Sequence, residues 1–311
     1  MTGRILVLGA AGRFGHAAAE AFHHAGWDVT SLVRPGTATR APRDTRVVEA
    51  HALDRAAVIK AAHGAEVVLH ALNPVYTDWA RLALPLAYGA IEAAETAGAT
   101  LLFPGNVYNY GAGMPAVLGE HTPMRPTARK GQLRVQIEER LREAAERGMR
   151  TIILRAGDFY GGGPGSWFDL VVAKNLSHGR VTYPGPLDVM HEWAYLPDLA
   201  AAMVRLAAIR DTFGAFEAFG FPGHAVTGRE LIAAIERALQ RKLAAKQMTW
   251  WLVHTVGRLF SIGQELAEIS YLWDVPHRID GGKLKAAMGD VPATPFDAAI
   301  AATLRALGHV R

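Results

Sequence analysis

The hydrophobic pattern of this chain changes period repeatedly, and each change marks an element. "RILVLGA" (4–10) is apolar at almost every position, which predicts a short strand buried on both faces of a sheet. A glycine-rich turn follows. In "FGHAAAEAFHHAG" (14–26) apolar positions recur at helical spacing, and Gly26 closes the helix. "WDVTSLVR" (27–34) predicts a second strand, and "DRAAVIKAAHG" (54–64) a helix capped by Asp54 with Gly64 past its end. "AEVVLHAL" (65–72) is another strand. "DWARLALPLAYGAIEAAETAG" (78–98) is a long helix, with a bend or break expected at Pro85. "ATLLFPGN" (99–106), a helix through the 130s and the strand "MRTIILRAG" (149–157) complete the series. Strict alternation of strand and helix predicts an α/β fold, a Rossmann-type doubly wound parallel sheet with right-handed crossovers.

After residue 156 the rhythm loosens. "GDFYGGGPGSWFD" (157–169) is a glycine-rich loop, and shorter elements follow down to a final helix near 296–307. The expected division is a dinucleotide-binding core over 1–160, completed by parts of 190–220. Residues 160–190 and 220–311 then form a smaller C-terminal substrate lobe. "WWLVHTVGRLF" (250–260) is too short to span a membrane and is expected as a helix buried against the core.

Composition narrows the function. Half of the 311 residues are hydrophobic and a fifth charged, which is ordinary for a soluble protein. The net charge of +4 is too mild for nucleic-acid binding without a clustered basic stripe. There is no cysteine, which removes disulfides and thiolate chemistry and fits a reducing cytoplasm. No signal-peptide pattern opens the chain, so a cytoplasmic location and no membrane partner are expected. The thirteen histidines include no HExxH and no pair with a carboxylate at metal spacing, so no metal is expected.

The turn after the first strand, "GAAGRFG", sets Gly9, Gly12 and Gly15 between an apolar strand and an amphipathic helix. Glycines let a pyrophosphate approach a helix N-terminus, where free N–H groups and the dipole favour negative charge. NAD binders usually place an acidic residue at the end of the second strand. This chain has "SLVRPG", with Arg34 there, and Arg13 inside the turn. Two guanidinium groups suit a 2′-phosphate by charge and fork geometry. NADP(H) is therefore expected over NAD(H), with the basic loop 34–46 as the lip of the adenosine pocket.

Taken in order, "GAAGRFG", "LVR", "ALD", "LHALNP", "RAGDFYG" and "WAYLPDLAAAM" resemble an extended short-chain dehydrogenase/reductase, the NAD-dependent epimerase/dehydratase family. The resemblance covers almost the whole chain. It implies cofactor contacts from Phe14 in the turn and from Ala71 and Asn73 after the strand 65–72, a small-molecule substrate, and a possible homodimer.

The family's catalytic set is a Ser or Thr with a Tyr-x-x-x-Lys pair. Here "FPGNVYNYG" aligns with the serine-bearing motif and puts Asn106 where the serine belongs. The family's spacing then lands its tyrosine on Lys130 and its lysine on Arg134, followed by Glu138. The resemblance implies that Arg134 binds the nicotinamide ribose. Lys130 would replace tyrosine as the general acid, since both have a free pKa of about 10. Asn106 would hold the substrate oxygen. Tyr108 is the rival acid, while Tyr110 packs; loss of proton transfer is the further alternative. Tyr160, Trp167 and Phe168, with His191 and Trp193, are candidate walls of the substrate pocket. Trp250, Trp251 and Trp273 are expected in the lobe core or at a dimer surface. His51 stands where the family often has an acidic adenine-pocket residue.

Overall fold

Every side chain of the first apolar run finds a hydrophobic layer, because helices cover both faces of the sheet it enters. The computed structural model describes residues 3–255 and 260–310. The first half reads β1 (Arg4–Leu8), α1 (Arg13–His24), β2 (Asp28–Val33), β3 (Arg46–Glu49), α2 (Arg55–Ala62), β4 (Val67–His70), α3 (Trp79–Ala97), β5 (Thr100–Asn106), β6 (Val117–Leu118), α4 (Arg129–Glu146) and β7 (Thr151–Ala156). Then come β8 (Asp158–Tyr160), β9 (Arg180–Tyr183), β10 (Met190–Tyr195), α5 (Leu196–Ala208) and β11 (Phe216–Gly220). The remainder comprises β12 (His224–Thr227), α6 (Gly228–Leu239), β13 (Ala244–Gln247), α7 (Trp250–Thr255), α8 (Ser261–Glu268), β14 (Arg278–Ile279), α9 (Gly282–Met288) and α10 (Phe296–Ala306).

Seven strands pair in parallel in the order β11-β7-β5-β4-β1-β2-β3. The order reverses beside β1, which pairs with β2 on one side and β4 on the other. Such a switch point opens a crevice at the strands' C-terminal ends. Ile5 and Val7 face a layer built by Phe14 and Phe22 of α1, Leu199 and Met203 of α5, and Leu284 of α9. Leu6 and Leu8 face Val58 of α2, Ile91 of α3, and Ile137 and Leu141 of α4. A strand covered on both sides has no polar face to alternate with, hence the unbroken run.

Three expectations are corrected. Arg46, read as the end of the basic loop 34–46, instead opens the edge strand β3, whose mostly exposed residues carry no strong hydrophobic signal. Helix α3 runs unbroken through Pro85. Pro85 and Arg81 both lie on the exposed face, so the carbonyl that loses its partner there meets water. The helix expected over 250–260 is α7 up to Thr255, and 256–259 lie outside the described residues. It is not buried: Trp251 is 68% exposed, while Trp250 packs against Trp167.

The segment after β7 folds partly back onto the sheet and partly beside it. Helix α5, β11 and α9 join the sheet and its layers. β8, β10 and β12 form a separate small sheet, and β9 pairs with β13. These surround an aromatic cluster of Tyr160, Phe168, Tyr183, Trp193 and Trp273. Asp54 caps α2 by accepting from the Ala57 N–H at 3.1 Å. No described helix is long and apolar enough to cross a membrane.

Candidate functional site

The glycine turn leaves no room for side chains. Gly9 has φ +88°, and a Cβ there would lie 3.1 Å from the Ala71 carbonyl oxygen. A Cβ on Gly15 would collide with the Gly9 carbonyl, and one on Gly12 would approach it to 3.2 Å. The turn therefore brings bare backbone to the N-terminus of α1, whose cap carries no side-chain hydrogen bond. These are the requirements of a diphosphate cradle.

A cleft of about 380 Å³ opens from this cradle at the switch point. Gly9, Gly12, Ala71 and Asn73 line its floor, and Arg34, Thr37, Arg40 and His51 line its lip. Arg34 is exposed just past the end of β2 and lines the cleft. The nearest acidic side chain of β3, Glu49, accepts the Gly36 N–H at 2.8 Å instead of reaching toward a ribose. Arg34 and Arg40 both line the cleft.

Arg13 is not part of that lip. Its guanidinium turns the other way and donates to three carbonyls of the glycine-rich loop, Gly161 at 2.8 Å, Gly163 at 3.2 Å and Gly165 at 3.5 Å. A side chain at the first position of α1 is carried to the side of the cradle that faces β8, away from β2. Phe14 is buried against Phe159 and can offer the cleft only its backbone.

The altered catalytic pair is split by its surroundings. Lys130 is fully buried. Its ammonium donates to the Glu265 carboxylate, to the Glu268 carboxylate at 2.7 Å and to the Glu265 carbonyl at 3.2 Å. An ammonium has three N–H donors, and all three are taken. The expectation of Lys130 as the acid at a substrate oxygen is corrected: it ties α4 to α8. Arg134 lies one turn on, its guanidinium 4.9 Å from the Trp79 ring and 5.2 Å from that of Phe103. Its one hydrogen bond among the described residues goes to the Pro104 carbonyl at 3.3 Å, and its Nε is buried without a partner. Burial pulls its pKa below the ordinary arginine value. Glu138 pairs with Arg155 at 2.6 Å and accepts from Asn109 at 2.8 Å, so it anchors α4 to the sheet.

Asn106 ends β5 as the alignment required. Its Oδ1 accepts the Tyr108 N–H at 3.1 Å, which fixes the amide and leaves Nδ2 as a donor. The Tyr108 hydroxyl lies 3.2 Å from that of Tyr76, and the Tyr76 ring lies 5.2 Å from the Lys130 ammonium. Burial, and then the Asp158 charge, push the Tyr76 hydroxyl up to about 12. Burial also holds Tyr108 well above the ordinary phenol value. Both are neutral donors at physiological pH. Tyr110 packs in the same apolar cluster, as expected.

The proposed pocket walls mostly move into the core. Tyr160 is buried and bonds His224 at 2.8 Å, and Trp193 is equally buried. His191 lies stacked on Trp273 at 4.1 Å and touches Asp158 at 2.9 Å, so it orients that carboxylate and does not face the cleft. Trp167 remains half-exposed, with its indole beside the Tyr76 hydroxyl.

Tyr76 and Asp158 escaped the sequence reading. Tyr76 follows β4 in "NPVYTDW", and a tyrosine just past a strand's C-terminal end was the available signal. His70, at the end of β4, is buried beside Arg134; burial lowers its pKa to about 3. Among the described residues no cluster of three or more His, Asp or Glu side chains could hold a metal.

The sequence profile of the NAD dependent epimerase/dehydratase family matches residues 5–219. A 3-diazoavenalumate denitrifying reductase from Streptomyces sp is 29% identical over 298 residues, covering 88% of this chain and 96% of that protein. Solved structures of the same fold include UDP-glucose 4-epimerase from Bifidobacterium longum in complex with NAD+ and UDP. It has a TM-score of 0.77 and 16% identity, and covers 98% of both chains. The Bordetella bronchiseptica enzyme WbmH in complex with NAD+ matches with a TM-score of 0.75 and 17% identity, over 98% of both chains.

Proposed function

The chain belongs to the NAD dependent epimerase/dehydratase family, the extended short-chain dehydrogenases/reductases, and on that premise we propose that it is an NADP(H)-dependent oxidoreductase. Its substrate would be a small molecule bearing a carbonyl or sugar-like carbon. The observation that carries the reading is the cleft itself, with a side-chain-free diphosphate cradle at one end and Arg34 and Arg40 on its lip. A 2′-phosphate gains charge-assisted hydrogen bonds from such a lip, and a bare ribose hydroxyl gains far less.

A bound NADPH supplies the hydride. The chain's own groups then serve the substrate oxygen. The Asn106 amide donates to it from the end of β5, the place where the family sets its serine. The Tyr108 hydroxyl, paired with Tyr76, is the proton donor; its neutral state fits that role, and Lys130 has no donor left for it. Arg134, on its aromatic bed, binds the ribose hydroxyls as the aligned lysine does in the family. The named reductase among the relatives supports net reduction over epimerisation.

A second reading has its own support. With Lys130 bound to two glutamates, the family's proton-transfer position is silent, and a cofactor-responsive binding protein without turnover would look the same. Fluorescence titration with NADPH and NADH tests the cofactor: much tighter NADPH binding is expected, and equal affinities would sink the NADP(H) assignment. Single-turnover oxidation of bound NADPH by a panel of aldehydes, ketones and quinones separates enzyme from binder.

A further inference from the structure

Two histidines of the C-terminal half differ in what their ring nitrogens face. His224 lies between the Tyr160 hydroxyl and the Thr294 carbonyl, each at 2.8 Å. A hydroxyl can donate, so a neutral ring with one N–H satisfies both contacts. His191 has no such partner. Its Nδ1 faces the Leu272 carbonyl at 3.3 Å and its Nε2 faces the Asp158 carboxylate at 2.9 Å. Both are acceptors, so the pair must hold one more proton than a neutral ring beside a carboxylate. Imidazole is the stronger base of the two, which places that proton on His191. The ring is 2% exposed and stacked on Trp273 at 4.1 Å, a face that favours a cation. His277, 4.8 Å from it between ring centroids, adds no second charge: burial, and then the His191 charge, lower its pKa to about 4.

Asp158 stands where the site needs a recognition group. β5 pairs with β7 so that Asn106 lies opposite Ala156, and Asp158 opens β8 two residues later at the same edge of the sheet. Its charge adds to burial in raising the Tyr76 hydroxyl, and to burial and the neighbouring Tyr76 in raising that of Tyr108. One carboxylate oxygen, Oδ2, is bonded to His191. Oδ1 has no hydrogen bond among the described residues, and the side chain is 14% exposed. The ladder between β8 and β10 already sets Asp158 beside Trp193, so joining those strands does not require the ion pair. A pair of this kind returns little net stability once desolvation is counted. What it does provide is a carboxylate held in one orientation, with an oxygen to spare, near Asn106 and the tyrosine pair.

We propose that Asp158, held in place by a doubly protonated His191, selects the substrate: its free oxygen accepts a hydrogen bond from a hydroxyl or ammonium group beside the reacting carbonyl. Asp158 touches substrate, and His191 is a positioning residue. The substrate class is then a hydroxy- or amino-substituted carbonyl compound, and a group offering only acceptors in that place is refused. The proposal rests on the oxidoreductase reading above.

The test compares acetone, hydroxyacetone, aminoacetone and pyruvate, and cyclohexanone with 2-hydroxycyclohexanone, in NADPH oxidation. The hydroxy and amino compounds should exceed the parent ketones in kcat/KM by tenfold or more, the value of a hydrogen bond to a charged group, and pyruvate should fall below acetone. Asp158→Ala should erase that preference and leave NADPH affinity unchanged. Asp158→Asn should keep part of the hydroxyl preference, since an amide oxygen still accepts, and lose the ammonium preference. His191→Asn should raise KM for hydroxyacetone and leave that for acetone alone. A separate readout needs no turnover: nitrogen-15 NMR of the ring should show both His191 nitrogens protonated at pH 7, and only one in Asp158→Asn. A single protonated nitrogen in the unaltered protein would overturn the proposal. So would a preference that survives Asp158→Ala, or NADPH binding with no reduction of any hydroxy or amino compound. In those cases the cofactor assignment stands. If the protein binds no NADPH, the oxidoreductase reading falls and takes the proposal with it.

Discussion

The hydroxyls of Tyr76 and Tyr108 lie 3.2 Å apart, joining the loop after β4 to the loop after β5 at the C-terminal edge of the sheet. Neither comes from the helix that carries the family's tyrosine. Either oxygen can be the donor, and the pair stands beside Asn106 and the half-buried Arg134.

Replacing Tyr108 by Phe should lower turnover by about 10²-fold or more, the usual contribution of a positioned acid, with NADPH affinity unchanged. Tyr76→Phe should give a smaller loss by removing the partner that orients Tyr108. Because burial raises Tyr76 to about 12, the pair should cause no alkaline loss of rate below that pH. The check is NADPH oxidation, followed by the absorbance of the reduced nicotinamide. Full activity in Tyr108→Phe would remove the assignment.

Lys130→Met should destabilise the protein by about 3–5 kcal/mol, because it removes the ammonium shared by two largely buried carboxylates and leaves Glu265 only Arg129 and Glu268 only the backbone N–H of residue 130. Adding Glu265→Gln and Glu268→Gln should restore most of the loss. Thermal melts of the single and triple variants decide this. A single variant as stable as the parent would mean that the ion cluster does not hold α8 to α4.

Arg34→Ala should cut NADPH affinity by roughly 10- to 100-fold, the value of one or two hydrogen bonds to a charged group, and leave NADH nearly untouched. Calorimetric titration with both cofactors measures it. An equal loss for both would place Arg34 away from the 2′-phosphate.

His70 is held neutral, its pKa lowered from 6.5 to about 3 first by burial and then by the Arg134 charge. The unfolded chain binds a proton below 6.5 that the fold refuses, so stability is complete above that pH and falls as the pH drops toward 3. The slope is about 1.4 kcal/mol per pH unit at its steepest. Denaturant titrations across this range should show a shallower acid limb in His70→Leu. An unchanged limb would mean that other groups govern acid unfolding.

Gly15→Ala should abolish binding of either cofactor, since its Cβ would strike the Gly9 carbonyl and force the cradle open. Retained binding would show that the turn relaxes without touching the diphosphate.

The fold was largely legible in the sequence because a parallel sheet covered on both faces has no polar alternation to disguise it. β1, β4 and β7 announce themselves as apolar runs. β3 did not: an edge strand with exposed residues carries little hydrophobic signal. The cradle was legible too, because Gly9, Gly12 and Gly15 act through local backbone geometry and need no distant partner. So was the place of Asn106, which the end of a strand dictates.

Where a long side chain spends its charge was not legible. Arg13 and Arg34 looked equivalent as cations near a phosphate, yet one turns to a loop 148 residues away in sequence and the other lines the cleft. Lys130 had the right address for an acid, and α8, 135 residues further on, supplies the two carboxylates that occupy it. Tyr76 was passed over since its partner sits 32 residues ahead on another loop. The sequence by itself determined periodicity, turns and the backbone cradle, all of which depend on neighbours within a few residues. Only the tertiary structure decided which polar groups meet, because a flexible side chain takes whatever partner desolvation brings within reach, and that partner is set by packing between elements far apart in the chain.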